Sequence, residues 1–473
     1  MAADLFWKRL AETVGEEHLT FDAGRLLDGR WDDPLPNAIV RPANRKQARE
    51  VMLLAHSGRR TVAPAGGCSK QRFGGTPRRI DFLLSLDRLN RITDYQAADL
   101  TVTVEAGVRM ADLAATLQAQ GQMLPLDPPF GAEATVGGVL ATNGSGPRRL
   151  AYGTARDMVL GVHFIAPVGK LAKSGGKVVK NVAGYDMAKL LIGSLGTLGV
   201  LTDVTFKVFP IPPASATLVL GFPDAAQSLR AAHRILNSPF APQALDLLDR
   251  AAASLIQEPG LSEFPFVLVV SAAGPEPVVE RISRDLPALL QSESLMAESP
   301  MAKSPMARSP MAKSLTEVAR LSGEGESKLW KKIQEITPSF LRAHPDGVVV
   351  KASVLLTQMV EVIEAARRAA SDHGLASAVV ARAGTGIVYC YLWPEEAAEP
   401  PSPAERLGSA CKFLLQETER LGGRAIVEWA PVAVQNRVYI WGTLPDDFPL
   451  MQRLKARMDP RGILNPGRFY GGL

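Results

Sequence analysis

Apolar positions recur at helical spacing between residues 44 and 56, with Ala48, Val51, Met52 and Ala55 on one face, and predict an amphipathic helix. Asn44 offers a side-chain acceptor to its first N–H groups, and Gly58 a stop. A short strand is expected over 61–63. Leu100, Val102 and Val104 alternate with Thr101, Thr103 and Glu105, the pattern of a half-buried strand. A second helix is expected over 110–120, closed by Gly121. Strands at 159–166 and 170–173 join through Pro167-Val168-Gly169, and Val200, Val204, Phe206 and Val208 mark a last strand ending at Pro210-Ile211-Pro212-Pro213.

Three glycine clusters punctuate these elements. The first is Ala65-Gly66-Gly67-Cys68-Ser69-Lys70, after the 61–63 strand. The second runs from Thr135-Val136-Gly137-Gly138 to Ala141, Asn143, Gly144 and Ser145. The third holds Gly193, Gly196, Thr197, Gly199 and Val200. Glycine lets backbone come close to a ligand and take positive φ, so consecutive N–H groups can converge on an anion. Three such loops in one segment point to a long, phosphate-bearing cofactor. No G-x-G-x-x-G stands at a strand-to-helix turn and no G-x-x-x-x-G-K-[ST] occurs, which argues against Rossmann and P-loop sites.

At 473 residues the chain is expected to form two domains. Its 46% hydrophobic and 21% charged residues are those of a globular protein, and a net charge of +5 without basic–aromatic blocks gives no sign of nucleic-acid binding. Three cysteines, none in a C-x-x-C pair, argue against a disulfide framework, a structural zinc or an iron–sulfur cluster. The six histidines lack metal-ligand spacing, so no metal is expected. With no apolar signal core near Met1 and no membrane-length run, the expected location is the cytoplasm.

The expected division is 1–213 (core 37–213), 214–439, and a C-terminal segment 440–473 that folds back onto the first domain. Residues 296–314 repeat Met-Ala-x-Ser-Pro; their prolines break helix and ladder alike, and they read as a surface insertion or a basic docking arm.

Residues 37–213 resemble the FAD-binding domain of the vanillyl-alcohol oxidase / p-cresol methylhydroxylase superfamily, and Asp459-Pro460 with Asn465-Pro466-Gly467-Arg468 resembles its C-terminal signature. Gly175-Gly176-Lys177-Val178-Val179-Lys180-Asn181-Val182-Ala183-Gly184-Tyr185-Asp186 is similar to the FAD-binding, E-type subunits of bacterial glycolate oxidases. The resemblance implies an α+β fold: a PCMH-type FAD-binding domain of two α+β subdomains and an α/β cap domain of FAD-linked oxidase type. FAD would meet the pyrophosphate loop Ala65 to Lys70, the second loop from Pro128 to Ser145, and Gly193 to Val200, with Asn465 contributed by the tail. Many relatives carry a flavin-linked histidine in the first loop. Here its non-glycine members after Ala65 are Cys68, Ser69 and Lys70, so the FAD would be non-covalent. Cys68 also reads as a small filler, and Lys177 and Lys180 as solvated charges.

Oxidising a 2-hydroxy acid needs a cation for the carboxylate and a base for the hydroxyl proton, beside the flavin. In related dehydrogenases a segment resembling H-x-G-D-G-N-x-H supplies histidines. The matching stretch, Arg382-Ala383-Gly384-Thr385-Gly386-Ile387-Val388-Tyr389, keeps the glycines and lacks both histidines. Arg382 and Lys351 are candidate carboxylate clamps and Tyr389 a candidate hydrogen-bond donor; a rim or core role is open for each. The resemblance implies the FAD-binding subunit of a glycolate oxidase, oxidising glycolate to glyoxylate beside a larger flavoprotein subunit and an iron–sulfur subunit, with peripheral membrane association through those partners. A self-sufficient 2-hydroxy-acid dehydrogenase and a flavin-free assembly protein are the alternatives.

Overall fold

A computed structural model describes residues 2–22, 35–177, 184–291, 316–395 and 401–473. The Met-Ala-x-Ser-Pro repeat and Lys180 lie outside the described residues. The chain divides into two compact units: residues 1–145, 153–211 and 443–473 form the first, and residues 146–152 and 212–442 the second.

In the first unit, β1 (Leu19–Thr20), β2 (Ala38–Val40), β3 (Val62–Ala65) and β4 (Phe82–Ser85) form a mixed sheet in the order β1-β2-β4-β3. β4 runs parallel to both its neighbours. The helix Arg45–Gly58 buries Ala48, Val51, Met52 and Ala55, and Asn44 accepts hydrogen bonds from Lys46 N and Gln47 N. Its stop is Arg59 at φ 50°, one residue beyond the expected Gly58.

A second, antiparallel sheet joins β5 (Ile92–Gln96), β6 (Thr101–Glu105), β8 (Val159–Ile165), β9 (Leu171–Gly175) and β10 (Val200–Lys207) in the order β5-β6-β10-β8-β9. Strand β7 (Gln122–Met123) pairs with β11 (Phe209–Pro210) outside it. Val102 and Val104 of β6 are buried as the alternation requires. Leu100 is not part of the strand: it caps a 3-10 turn at φ 54° and is exposed. Gly169, at φ 77°, makes the turn between β8 and β9.

The C-terminal segment completes this unit. After the helix Phe448–Met458, Leu464 forms a parallel bridge to Val62 at the edge of β3. Val62 N donates to Ile463 O at 2.7 Å and Asn465 N to Val62 O at 3.0 Å.

The second unit is built on one sheet of eight strands: β12 (Ala214–Phe222), β13 (Ala244–Asp249), β14 (Phe266–Gly274), β15 (Thr316–Leu321), β16 (Val348–Ser353), β17 (Leu375–Arg382), β18 (Ile387–Pro394) and β19 (Arg424–Trp429). Their order is β15-β12-β14-β13-β17-β18-β16-β19, antiparallel throughout. This unit is therefore α+β like the first, since parallel β-helix-β crossovers are missing among its described strands. Its core gathers Leu248, Val267, Val269, Phe340, Val380 and Tyr391 between sheet and helices.

Candidate functional site

A groove in the first unit is built where the glycine clusters meet. Its walls are residues 64–71 at and beyond the end of β3, Pro128 and Pro129, one side of the helix Val136–Thr142 from Gly137 to Thr142, the turn around Gly196, and Asn465 and Arg468 from the tail. Two glycines let the first two walls touch. A Cβ on Gly66 would overlap Thr135 Oγ1, and one on Gly67 would overlap the backbone oxygen of Glu133. Thr135 in turn caps the helix, its Oγ1 accepting from Gly138 N at 3.4 Å. What was expected as a loop through Gly137-Gly138 is thus a short helix, with Gly137 N donating to Ala106 O at 2.7 Å.

The backbone around the groove is strained. Nine described non-glycine residues have positive φ, and six of them line or flank the groove: Cys68, Asp127, Phe130, Asn143, Leu195 and Asn465. Left-handed backbone in L-residues is unfavourable and is retained where the surroundings over-determine it, as at binding sites. Lys70 and Arg468 are the charged groups among the described lining residues, and both are cations. Arg468 Nη1 donates to Gln71 O at 2.6 Å and Nη2 to Gln71 Oε1 at 3.2 Å, so the tail is tied to the first loop. Asn465 is buried and left-handed (φ 43°); its Nδ2 donates to Leu195 O at 2.7 Å, and its buried Oδ1 has no partner among the described residues. A long groove with cationic walls and an orphaned buried acceptor fits a dinucleotide that brings a diphosphate and its own donors.

Of the residues expected at the cofactor, Ala65, Gly66, Gly67, Cys68, Ser69, Lys70, Pro128, Thr135, Gly137, Gly138, Ala141, Gly144, Gly196, Gly199 and Asn465 line this groove. Six others do not. Val136 and Val200 are fully buried in the core, and Thr197 turns inward to donate from Oγ1 to Ser194 O at 2.7 Å. Asn143 forms the left-handed C-cap of the helix Val136–Thr142. Gly193 sits at φ 85° with its N–H on Leu140 O, and Ser145 lies just past the wall. Arg468 and Gln71 line the groove without having been expected there, as does Leu195 within the expected segment Gly193 to Val200. Arg468 was within reach of sequence reasoning, standing three residues after Asn465 in the tail motif. Lys177 is placed away from this wall set, in an ion pair with Asp94 at 2.5 Å.

The three catalytic candidates come together in the second unit, and the sheet register is the reason. Lys351 on β16 lies opposite Tyr389 on β18, and Arg382 closes β17 at the hairpin turn leading to β18. Lys351 Nζ and Arg382 Cζ stand 5.8 Å and 5.7 Å from the Tyr389 ring centroid. Both are cation–π distances. Arg382 is also ion-paired with buried Asp246, its register partner on β13. Burial opposes the guanidinium charge of Arg382, but Asp246 and then Tyr389 more than offset that and push its pKa up. Tyr389 also pushes Lys351 up; burial opposes it and Glu428 adds to it. Both cations are therefore held charged, one of them already neutralised.

Among the described residues no group of three or more His, Cys, Asp or Glu side chains could hold a metal, and no helix is long and apolar enough to cross a membrane.

Residues 36–175 match the family described as FAD binding domain, and residues 211–469 match FAD linked oxidases, C-terminal domain, which spans more than half of the chain. The chain is 25% identical to "Glycolate oxidase subunit GlcD" of Bacillus subtilis (strain 168), over 98% of its own length and 96% of that protein. It is 27% identical to a "D-2-hydroxyglutarate dehydrogenase" of Xanthomonas citri pv. viticola, over 94% and 92%. Against "Glycolate oxidase subunit GlcE" of Escherichia coli (strain K12) identity is 47% over 128 residues, covering 27% of this chain and 37% of that one. In fold it resembles p-cresol methylhydroxylase, with a TM-score of 0.77 at 15% identity, covering 98% of this chain and 96% of that one. The chain is a FAD-dependent oxidoreductase and belongs to the FAD-linked oxidases.

Proposed function

We propose that this chain is the E-type, FAD-binding subunit of a glycolate oxidase, supporting oxidation of glycolate to glyoxylate beside a larger flavoprotein subunit and an iron–sulfur subunit. The observation that carries this reading is the hairpin from Arg382 to Tyr389. Where related dehydrogenases place histidines, this chain presents an arginine whose charge is taken up by Asp246. The local 47% identity to a GlcE subunit supports the same reading, set beside 25–27% along the full-length relatives quoted above. FAD would be held non-covalently in the groove, with Gly66 to Lys70 and Arg468 toward its diphosphate. It supplies the two-electron acceptor for the carbon–hydrogen bond that is broken.

A second reading is a self-sufficient 2-hydroxy-acid dehydrogenase, favoured by the convergence of Lys351 and Tyr389. There the Lys351 ammonium would hold the substrate carboxylate through a charge-assisted hydrogen bond, and the Tyr389 hydroxyl would donate a second, fixing the α-carbon. Arg382 would support the tyrosine ring. Turnover separates the two: the purified chain, loaded with FAD, is assayed alone with glycolate and lactate and an artificial acceptor. The subunit reading expects little turnover alone and co-purification with a second flavoprotein and an iron–sulfur protein. Turnover at an ordinary enzyme rate by the single chain, abolished in Lys351→Met, would establish the second reading instead.

A further inference from the structure

Outside the residues that line the groove lies a buried ion pair whose bonds join the turn around Gly196 to the tail, two of its walls. Lys455, on the helix Phe448–Met458, is almost fully buried, and its ammonium spends its three protons on Asp459 Oδ2 (2.7 Å), Thr197 O (2.8 Å) and Leu464 O (2.9 Å). Asp459, equally buried, accepts from Ile463 N at 3.1 Å and Leu464 N at 2.9 Å. Ordinary helix–tail packing needs no such pair, and desolvating two charges is unfavourable unless every hydrogen bond is made.

The bonds go to the residues flanking Asn465 and to the turn that Asn465 grips. Leu464 O and N fix the residue before Asn465, while Thr197 O is two residues after Leu195, whose carbonyl accepts Asn465 Nδ2. Leu195 has positive φ (53°), a conformation an L-residue keeps only when its surroundings hold it, whereas Gly196 beside it adopts φ 68° without strain. The unpartnered Asn465 Oδ1 is thus set in place by one ammonium acting on both sides of it.

We propose that Lys455, with Asp459, is a positioning residue for the cofactor: it fixes the Leu195–Gly196 turn against the tail so that Asn465 Oδ1 accepts a hydrogen bond from an N–H or hydroxyl of the bound dinucleotide. The inference rests on the groove being the FAD site. Replacing the ammonium by a methionine leaves the shape and removes the three bonds. Neutralising Asp459 as well removes the buried unpaired carboxylate, which is the main threat to folding, without restoring the ties to Thr197 and Leu464.

The test measures FAD dissociation constants by fluorescence titration of the apo-protein, together with apo-protein melting temperature, for wild type, Lys455→Met, K455M/D459N, Asn465→Ala and the Lys455→Met/Asn465→Ala pair. Expected are a tenfold or greater loss of FAD affinity in Lys455→Met and in K455M/D459N, a melting temperature that recovers in the latter, and a similar loss in Asn465→Ala. In the Asn465→Ala background, Lys455→Met should add less than threefold, because both act through one contact. Affinity that recovers together with stability in K455M/D459N, or effects that simply multiply, would overturn the proposal. If neither Lys455 variant folds, wild-type FAD affinity in Asn465→Ala overturns it as well. Wild-type protein that takes up no FAD would instead sink the underlying site assignment.

Discussion

Gly67 offers the sharpest perturbation of the cofactor groove, because what its missing side chain leaves room for is backbone. In Gly67→Ala the new Cβ would overlap the carbonyl oxygen of Glu133, and its carbon also comes too close. A side chain could rotate out of the way; a carbonyl at the entrance to the helix Val136–Thr142 cannot, since Glu133 N and Ala134 N are both bonded to Phe130 O. The loop 65–70 must therefore lift off the second wall. Overpacking of this kind costs about 1–3 kcal/mol. If the shift breaks one charge-assisted hydrogen bond from the loop to the diphosphate, about 1.5–3 kcal/mol of binding is lost. At 1.4 kcal/mol per decade that weakens FAD by roughly 10- to 150-fold. The assay is titration of the apo-protein with FAD, with a melting curve to confirm folding. Gly325→Ala, in the helix Gly323–Gln334, is the control: the added Cβ would lie 3.8 Å from Cδ2 of Leu321 at the end of β15, and the change should leave FAD binding untouched while stabilising by up to about 1 kcal/mol. A Gly67→Ala protein that folds and binds FAD within twofold of wild type would refute the argument that this contact shapes the site.

Other expectations concern the second unit and the thiols. Arg382→Met leaves Asp246 buried without its guanidinium and should lower stability by about 3–5 kcal/mol in urea unfolding. Adding Asp246→Leu should recover most of that loss, and no recovery would show that the pair is not what holds these strands. Asp249 is also buried, and desolvation raises its carboxyl pKa from 3.8 to about 6 against the N–H groups of Ala252 and Val379. The folded state then binds the proton more tightly than the unfolded chain, so stability from this residue is greatest below about pH 4 and falls as pH rises through 6. The fall is on the order of 3 kcal/mol, and Asp249→Asn should flatten it; an unchanged pH profile of unfolding would count against it. Burial pushes Cys390 and Cys411 up to about 12, so neither should react with iodoacetamide in the folded chain. Half-buried Cys68 in the groove should label in the apo-protein and be protected by FAD; labelling unaffected by FAD would place the cofactor elsewhere.

Local chemistry was readable along the chain wherever one residue decides the conformation. Asn44 caps its helix, Gly121 and Gly169 turn the chain, and Val102 and Val104 face inward, each for a reason contained in a few neighbouring residues. The glycine loops were readable for the same reason, because close backbone contact leaves few alternatives to glycine. What escaped depended on long-range partners. Leu100 continues the apolar alternation of β6 but is needed as a left-handed cap after a 3-10 turn. Val136 and Val200 stand beside lining residues, yet helix and strand periodicity turn them to the core, and Thr197 in the turn between is drawn inward by its bond to Ser194 O. The neutralisation of Arg382 could not be foreseen, since Asp246 lies 136 residues away and meets it only through the β13–β17 register. The grip of Arg468 on Gln71 spans 397 residues. Lys351 and Tyr389 carried no mutual signal either until the strand order placed β16 beside β18.

The account stands on FAD lying in the groove between the Gly66–Lys70 loop and the tail. A structure of the chain determined with FAD bound tests this most directly. It should show diphosphate oxygens within hydrogen-bond distance of backbone N–H groups in Gly66 to Lys70, and Asn465 Oδ1 on a donor of the dinucleotide. A well-ordered FAD bound away from this loop, with Asn465 still facing no partner, would contradict it.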